Sequence, residues 1–295
     1  MRDAPTRLRA LILFTIFCLA LLGTGTASYA VGRKSRRAAA GVFAVLLVLI
    51  VAKPVLAAFP HWEWWLFPWA DYAYVQPLVL WVLAVGFLGV AAARLPIRWN
   101  RIVVLGTGLG LATFGAIENR WLAWPPEHGQ EVFADASHHL RQSTHYTCGP
   151  TACVAAVSHC GVRISEREMA RRCLTRGQGT RLFDLYRGLV VTLAGTPFQV
   201  SIEQVDTGAL LVPGTIAVVA NAGNGHALCI VGKGAVALVH DPLRREPVSW
   251  DRSELGRNYR GPAVLVREQP AIGLHPRTPR AERTRADAPD LRTQR

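Results

Sequence analysis

The chain is 295 residues long, 51% hydrophobic, with 33 Lys and Arg against 20 Asp and Glu and a formal net charge of +13. That length suits two domains of ordinary size. The charge does not point to nucleic acid, because the arginines gather at the ends of apolar segments and after residue 268, with no interleaved aromatic surface.

Nearly all long apolar runs fall within residues 1–125, which predicts a transmembrane region of about four helices, at 8–31, 38–59, 72–95 and 102–117. The first three are long enough to cross about 30 Å of hydrocarbon at 1.5 Å per residue. The fourth is short and glycine-rich, with Trp121 and Trp124 as anchors at its far end. His61-Trp62-Glu63-Trp64-Trp65 and Trp69 read as an aromatic belt at a membrane interface. Gly106-Thr107-Gly108-Leu109-Gly110 looks like a dinucleotide turn but has no following helix or acidic residue to complete it. It reads instead as close helix packing through Gly106 and Gly110. Gly32-Arg33-Lys34-Ser35 lacks the Gly-Lys-Ser order of a phosphate loop, and no ATPase motif is present.

Orientation follows from the basic residues. Arg33, Lys34, Arg36 and Arg37 join spans one and two, Arg94, Arg98 and Arg101 join spans three and four, and the intervening loop has no Lys or Arg. With four spans these basic corners lie inside and the rest of the chain emerges outside the cytoplasm, against the pull of Arg2, Arg7 and Arg9. Ala27-Ser28-Tyr29-Ala30 also resembles a signal-peptide cleavage site, and losing the first segment would reverse the arrangement.

Residues 126–140 form a polar connector, residues 141–268 a soluble domain, and residues 269–295 a basic, proline-rich tail that buries too little to fold alone. Within the soluble domain, helices are predicted over 149–159, 165–174 and 181–194, the second opened by a Ser165-x-x-Glu168 capping box. Strands follow at 198–202, 215–220, 226–232, 235–240 and 263–267. Helices first and an antiparallel sheet after them make an α+β domain. Of six cysteines, Cys18 lies in an apolar span and the other five in the C-terminal half. Cys160 and Cys173 bracket the Ser165 helix, and either a disulfide or core packing suits them. There is no Cys-x-x-Cys pair and no histidine spacing suited to zinc, so neither metal nor cofactor is expected. His138, His139 and His145 take no role.

Cys148 precedes Gly149-Pro150, and proline favours the first turn of a helix. A thiol there meets the positive end of the helix dipole, which stabilises a thiolate. Downstream, runs 226–232 and 235–241 flank Lys233-Gly234. With those two as the turn, His226 faces Asp241, and opposed residues share one face with Cβ atoms about 4.5–5.5 Å apart. A turn at Gly232-Lys233 would slip the register and lose that pairing. Cys148, His226 and Asp241 together match nucleophile, base and orienter of acyl transfer.

The stretch Gln142-Ser143-Thr144-His145-Tyr146-Thr147-Cys148-Gly149-Pro150 resembles the active-site segment of the double-glycine leader peptidases, in which Gln precedes Cys-Gly by five intervening residues. These papain-like cysteine peptidases are best known as N-terminal domains of bacteriocin-exporting transporters. Gly161-Val162, the Gly-x-Gly-Thr turn at 177–180, Gly225-His226-Ala227-Leu228 and His240-Asp241-Pro242 follow in family order. The resemblance covers 141–268 and implies a papain-like fold with no cofactor. Cys148 would attack a peptide carbonyl, His226 would shuttle the proton and Asp241 would orient His226. The Gln142 amide and the Cys148 backbone N–H would hold the oxyanion. It further implies a peptide or protein substrate cut after small residues such as Gly-Gly, membrane lipid and a separate transporter as partners, and a bacterial inner membrane. Two departures stand out: the spans precede the peptidase segment, and Thr147 stands where an acidic residue is common. A non-catalytic peptide-binding module, or a transpeptidase or amidase with the same triad, is the alternative.

Overall fold

The computed structural model describes residues 4–123, 126–221 and 225–269, so the expected basic tail from residue 270 lies outside the described residues. Helices α1 (Ala4–Lys34) and α2 (Arg36–Ala58) meet at Ser35. Its hydroxyl accepts from Ala38 N–H at 3.3 Å and caps α2, which places the Arg33–Arg37 basic cluster at a one-residue corner. Short helices α3 (Pro60–Leu66) and α4 (Tyr72–Val75) precede α5 (Val79–Arg94) and α6 (Arg98–Glu118). Residues 12–34, 36–58 and 98–118 form three helices long and apolar enough to cross a membrane.

The expected helix at 72–95 is not continuous. The chain breaks between α4 and α5, and the 16 residues of α5 reach only about 24 Å at 1.5 Å per residue. The apolar run is long because α5 sits inside the bundle, with Val85, Gly86, Gly89, Val90 and Ala92 buried. The fourth segment is longer than its apolar run, since α6 begins at Arg98. Close packing also falls elsewhere than on Gly106 and Gly110, where an added Cβ would meet nothing within 4 Å. The tight approach is between α1 and α5: a Cβ on Gly89 would lie 2.5 Å from the Gly25 carbonyl oxygen.

In the soluble domain, α7 (Cys148–His159), α8 (Glu166–Arg172) and α9 (Leu182–Leu193) lie on one face of a six-stranded antiparallel sheet. The strands are β1 (Phe198–Gln204), β2 (Ile216–Asn221), β3 (Ala227–Gly232), β4 (Ala237–His240), β5 (Val248–Trp250) and β6 (Tyr259–Glu268), ordered β1-β6-β2-β3-β4-β5. Alternation sorts the residues: Val218, Cys229, Val264 and Val266 face the three helices. Ala217, Ile230, Val239 and Leu265 face α10 (Thr207–Leu211) and α11 (Arg252–Asn258) through Leu210 and Leu255. Covered on both faces, β3 is buried at all its positions, which is why Ala-Leu-Cys-Ile-Val-Gly is apolar without alternation. The expected α+β class, helices on an antiparallel sheet after a helical region, is the class observed.

Ser165 caps α8 by accepting from Glu168 N–H at 3.2 Å, but the Glu168 carboxylate pairs with Arg171 and Arg172 instead of closing the expected box. All six cysteines are free. Cys173 turns toward the Cys153 thiol, while Cys160 lies near Cys229.

Candidate active site

Cys148 is the first residue of α7, so its thiol sits where the unpaired N–H groups of the helix concentrate positive potential. Gly149 beside it lets the helix start pack closely: an added Cβ would meet Leu185 Cδ2 at 2.7 Å and Thr180 Cβ at 3.1 Å, so both side chains would have to give way. The turn leading into the helix is held by Thr147, which is fully buried. Its hydroxyl donates to the Thr144 carbonyl at 3.1 Å and accepts from Thr144 N–H at 3.2 Å. A neutral, hydrogen-bonded side chain thus fills the position just before Cys148.

His226 immediately precedes β3, after Gly225 at φ +66°, a left-handed backbone that glycine adopts at no steric cost. Asp241 immediately follows β4. The hairpin between them has a different register from the expected one. Cys229 pairs with His240 and Gly232 with Ala237, because residues 233–236 form a longer turn closed by Lys233 N–H donating to the Val236 carbonyl at 3.0 Å. Extending this register sets His226 opposite Leu243, two positions from the expected partner. A slip of two keeps every side chain on its own face, whereas a slip of one would have inverted them. The diagonal reach is short enough, and His226 Nε2 lies 2.7 Å from Asp241 Oδ1.

Asp241 Oδ1 also accepts from Leu243 N–H at 2.9 Å, and Oδ2 accepts from Arg244 Nε at 3.3 Å. The imidazole of His226 also lies within hydrogen-bonding reach of the Cys148 side chain. Burial opposes ionisation of the Cys148 thiol. Hydrogen bonds with His226 and with the Ala227 and Gly149 N–H groups outweigh it and hold the pKa below the ordinary thiol value. Its hydrogen bonds to Asp241 and then to Cys148 raise His226 to about 9 against the effect of burial. Burial works against ionised Asp241 as well, but His226 and Leu243 N–H hold its pKa below the usual carboxylate value. The imidazolium form of His226 is thus favoured at neutral pH, beside an ionised Asp241 and a Cys148 thiol that ionises more readily than usual, a coupled set.

Gln142 reaches the same locality through its backbone, its N–H donating to the Pro242 carbonyl at 3.0 Å beside Asp241. Its side-chain Nε2 donates to the Thr144 carbonyl at 2.9 Å, and its Oε1 is buried without a partner. An amide nitrogen carries two hydrogens, so one remains available beside the turn that leads into Cys148. The structure thus brings Cys148, His226 and Asp241 into direct contact and ties Gln142 to both flanks of that group.

Sequence reasoning passed over Glu166, which is fully buried. Its Oε1 accepts from Ser143 N–H at 2.8 Å and from Thr151 Oγ1 at 3.0 Å, and its Oε2 accepts from Gln130 N–H at 3.0 Å. A glutamate directly after an N-cap serine reads as ordinary first-turn charge, so only the contacts distinguish it. Far from the thiol, His159 Nε2 lies 3.0 Å from His240 Nε2 where α7 ends against β4. Burial first, and neighbouring histidines after it, push these two to about 4 and about 3. Among the described residues no group of three or more His, Cys, Asp or Glu side chains is arranged to hold a metal ion.

No protein-family model and no curated protein matches the chain. Among solved structures, it is similar to a double glycine motif protease from an AMS/PCAT transporter in complex with the leader peptide, at 14% identity and a TM-score of 0.38 over 44% of this chain and 91% of that one. It is also similar to the peptidase domain of Streptococcus ComA, a bi-functional ABC transporter involved in a quorum-sensing pathway, at 17% identity and a TM-score of 0.36 over 44% of this chain and 97% of that one.

Proposed function

We propose that the chain is a membrane-anchored, papain-like cysteine peptidase acting on a peptide or protein near the bilayer, with cleavage after small residues such as Gly-Gly. The observation that carries this reading is the Cys148 thiol held against His226, itself 2.7 Å from Asp241, at the first residue of a 12-residue helix. The Cys148 thiolate attacks the scissile carbonyl, and the oxyanion takes hydrogen bonds from the Cys148 N–H and the Gln142 amide. His226 gives its proton to the leaving amine and then takes one from the water that opens the thioester, while Asp241 keeps the imidazole oriented. Removing one oxyanion donor typically costs about 10²–10³ in turnover, so Gln142→Ala is a sensitive probe.

Gly32 near the end of α1 packs against Val90 and Ala93 near the end of α5, which supports a shared side for the basic corners Arg33–Arg37 and Arg94–Arg101. With that side facing the cytoplasm, the peptidase domain stands on the extracytoplasmic face of a bacterial inner membrane. A separate transporter that exports the substrate fits that location.

The test uses the full-length protein in detergent, treated with iodoacetamide across pH and read by mass spectrometry. Labelling of Cys148 persists well below pH ~8, the ordinary thiol range, and slows in His226→Ala. Peptides containing Gly-Gly are then cleaved, and the cleavage is lost in Cys148→Ala. Labelling of Cys148 no faster than of Cys153 or Cys229 would sink the catalytic reading in favour of a peptide-binding module. A product joined to an added amine in place of water would reassign the same triad to a transpeptidase.

A further inference from the structure

We propose that Glu166 is a positioning residue for acyl transfer, fixing the separation between the two oxyanion donors by bridging the Gln142 segment to the Cys148 helix. The proposal rests on the peptidase reading above and deepens it.

The oxyanion hole of that reading draws on two different pieces of chain. One donor is the backbone N–H of Cys148 at the start of α7 and the other is the side chain of Gln142, six positions earlier in an irregular segment. Regular structure fixes the first. The second needs an outside reference, because an error of about 1 Å in a reacting geometry costs on the order of 10²-fold in rate.

A single carboxylate oxygen supplies that reference. Glu166 Oε1 accepts from the N–H of Ser143, the neighbour of Gln142, at 2.8 Å and from the hydroxyl of Thr151, nearly one turn beyond Cys148, at 3.0 Å. The other oxygen accepts from Gln130 N–H at 3.0 Å, and the Glu166 and Arg167 N–H groups donate back to the Val132 and Gln130 carbonyls at 2.9 and 3.0 Å. The connector ahead of Gln142 is thereby laid against α8 as well. Gly129, at φ +81°, permits the approach: an added Cβ would lie 3.1 Å from Glu166 Cγ.

Three donors require acceptor capacity on both oxygens, which a carboxylate has and an amide lacks. Glu166→Gln keeps the volume but turns an NH₂ group toward one of the donors. The bridge should therefore loosen while Cys148, His226 and Asp241 keep their mutual contacts, none of which runs through Glu166.

Two reactions of one thiol separate this role from general destabilisation. Alkylation by iodoacetamide needs the thiolate but no oxyanion donor, whereas acylation by acetyl-Gly-Gly p-nitrophenyl ester needs both. On the full chain in detergent, Glu166→Gln is expected to slow acylation about 10–100-fold and to leave the pH profile of Cys148 alkylation unchanged. In a Gln142→Ala background the same substitution should cost little further, because the donor it positions is already gone. Thr151→Val, which keeps the charge and shape and removes one bond, should slow acylation several-fold with alkylation intact. It serves as the readout if Glu166→Gln does not fold. Equal slowing of both reactions, or full additivity with Gln142→Ala, would overturn the proposal. Wild-type protein acylated no faster than Cys148→Ala, although Cys148 alkylates normally, would instead overturn the peptidase reading and this proposal with it.

Discussion

At the residue scale, the charge state of His226 ties the geometry to a measurable pH dependence. Its pKa of about 9 has the hydrogen bond to Asp241 as largest cause, so Asp241→Asn should bring it down toward the ordinary value of about 6.5. A raised pKa is lost as pH climbs through it, so the alkaline limb of kcat/KM should start near pH 9 in the wild type and well below that in the variant. Activity at pH ~7.5 should fall at least about 10-fold, and Cys148 alkylation near pH 6 should slow because the imidazolium beside the thiolate is less populated. An alkaline limb that stays near pH 9 would mean that something other than Asp241 holds the proton. The residues of this group were legible in the sequence as a set of types: Cys before Gly-Pro, His and Asp at the open end of a hairpin, Gln at a fixed distance upstream. Their exact apposition was not legible. It depended on a turn whose length, 233–236, lies in backbone hydrogen bonding, and the expected contact survived only because the error was an even number of residues.

At the element scale, the long apolar pieces and the Ser165-capped α8 declared themselves, and the short helices α10 and α11 did not. Helices α7 and α9 and strands β1, β2, β3 and β6 fall within a few residues of their expected places because each has a periodic or continuous apolar run. Helix α11 was missed although Asp251-x-x-Glu254 is a complete capping box, with Glu254 N–H donating to Asp251 at 2.8 Å and Asp251 N–H to Glu254 at 3.1 Å. Its single buried residue, Leu255, gives no periodicity to follow the cap. Strand β5, three residues at the sheet edge, has the same difficulty. The packing of α8 on α9 makes a sharper prediction. A Cβ on Gly188 would lie 2.1 Å from Cys173 Sγ and 3.3 Å from the Cys173 backbone. Gly188→Ala should therefore destabilise the domain by about 1–3 kcal/mol, the usual range for overpacking. Cys173→Ala in the same chain should restore much of that, since it removes the worst contact, so the two losses should be less than additive in thermal unfolding. Additive losses would place the strain in the Gly188 backbone itself.

At the scale of the whole molecule, the segment between α2 and α5 joins the helical bundle to the α+β domain. Trp64 meets Tyr186 edge to face, the Tyr186 hydroxyl donates to the Pro68 carbonyl at 2.9 Å, and Arg181 donates to the Ala73 carbonyl at 3.2 Å. Tyr72 and Ala73 belong to the same apolar core as α7 and α9. The aromatic cluster expected to lie wholly at an interface is thus divided: Trp62, Trp65 and Trp69 are exposed, and Trp64 faces the domain. Sequence could not divide them, because tryptophan suits lipid headgroups and protein cores alike. The segment is itself held from below by Glu63, fully buried, which pairs with Lys53 of α2 and accepts from the Tyr72 hydroxyl at 2.6 Å and Gln76 Nε2 at 3.3 Å. Removing one member of such a buried pair leaves the other charge uncompensated, at a cost of about 3–5 kcal/mol, whereas removing both is far milder. Lys53→Met should lower the thermal unfolding temperature in detergent and expose residues 126–140 to limited proteolysis as the domain undocks. Lys53→Met together with Glu63→Gln should recover most of that loss, since the amide still accepts from Tyr72. Alkylation of Cys148 should stay unchanged in both variants, because Cys148, His226, Asp241 and Gln142 lie entirely within the domain. A Cys148 that loses its reactivity when Lys53 is replaced would mean that the bundle shapes the surroundings of Cys148 as well as carrying the domain.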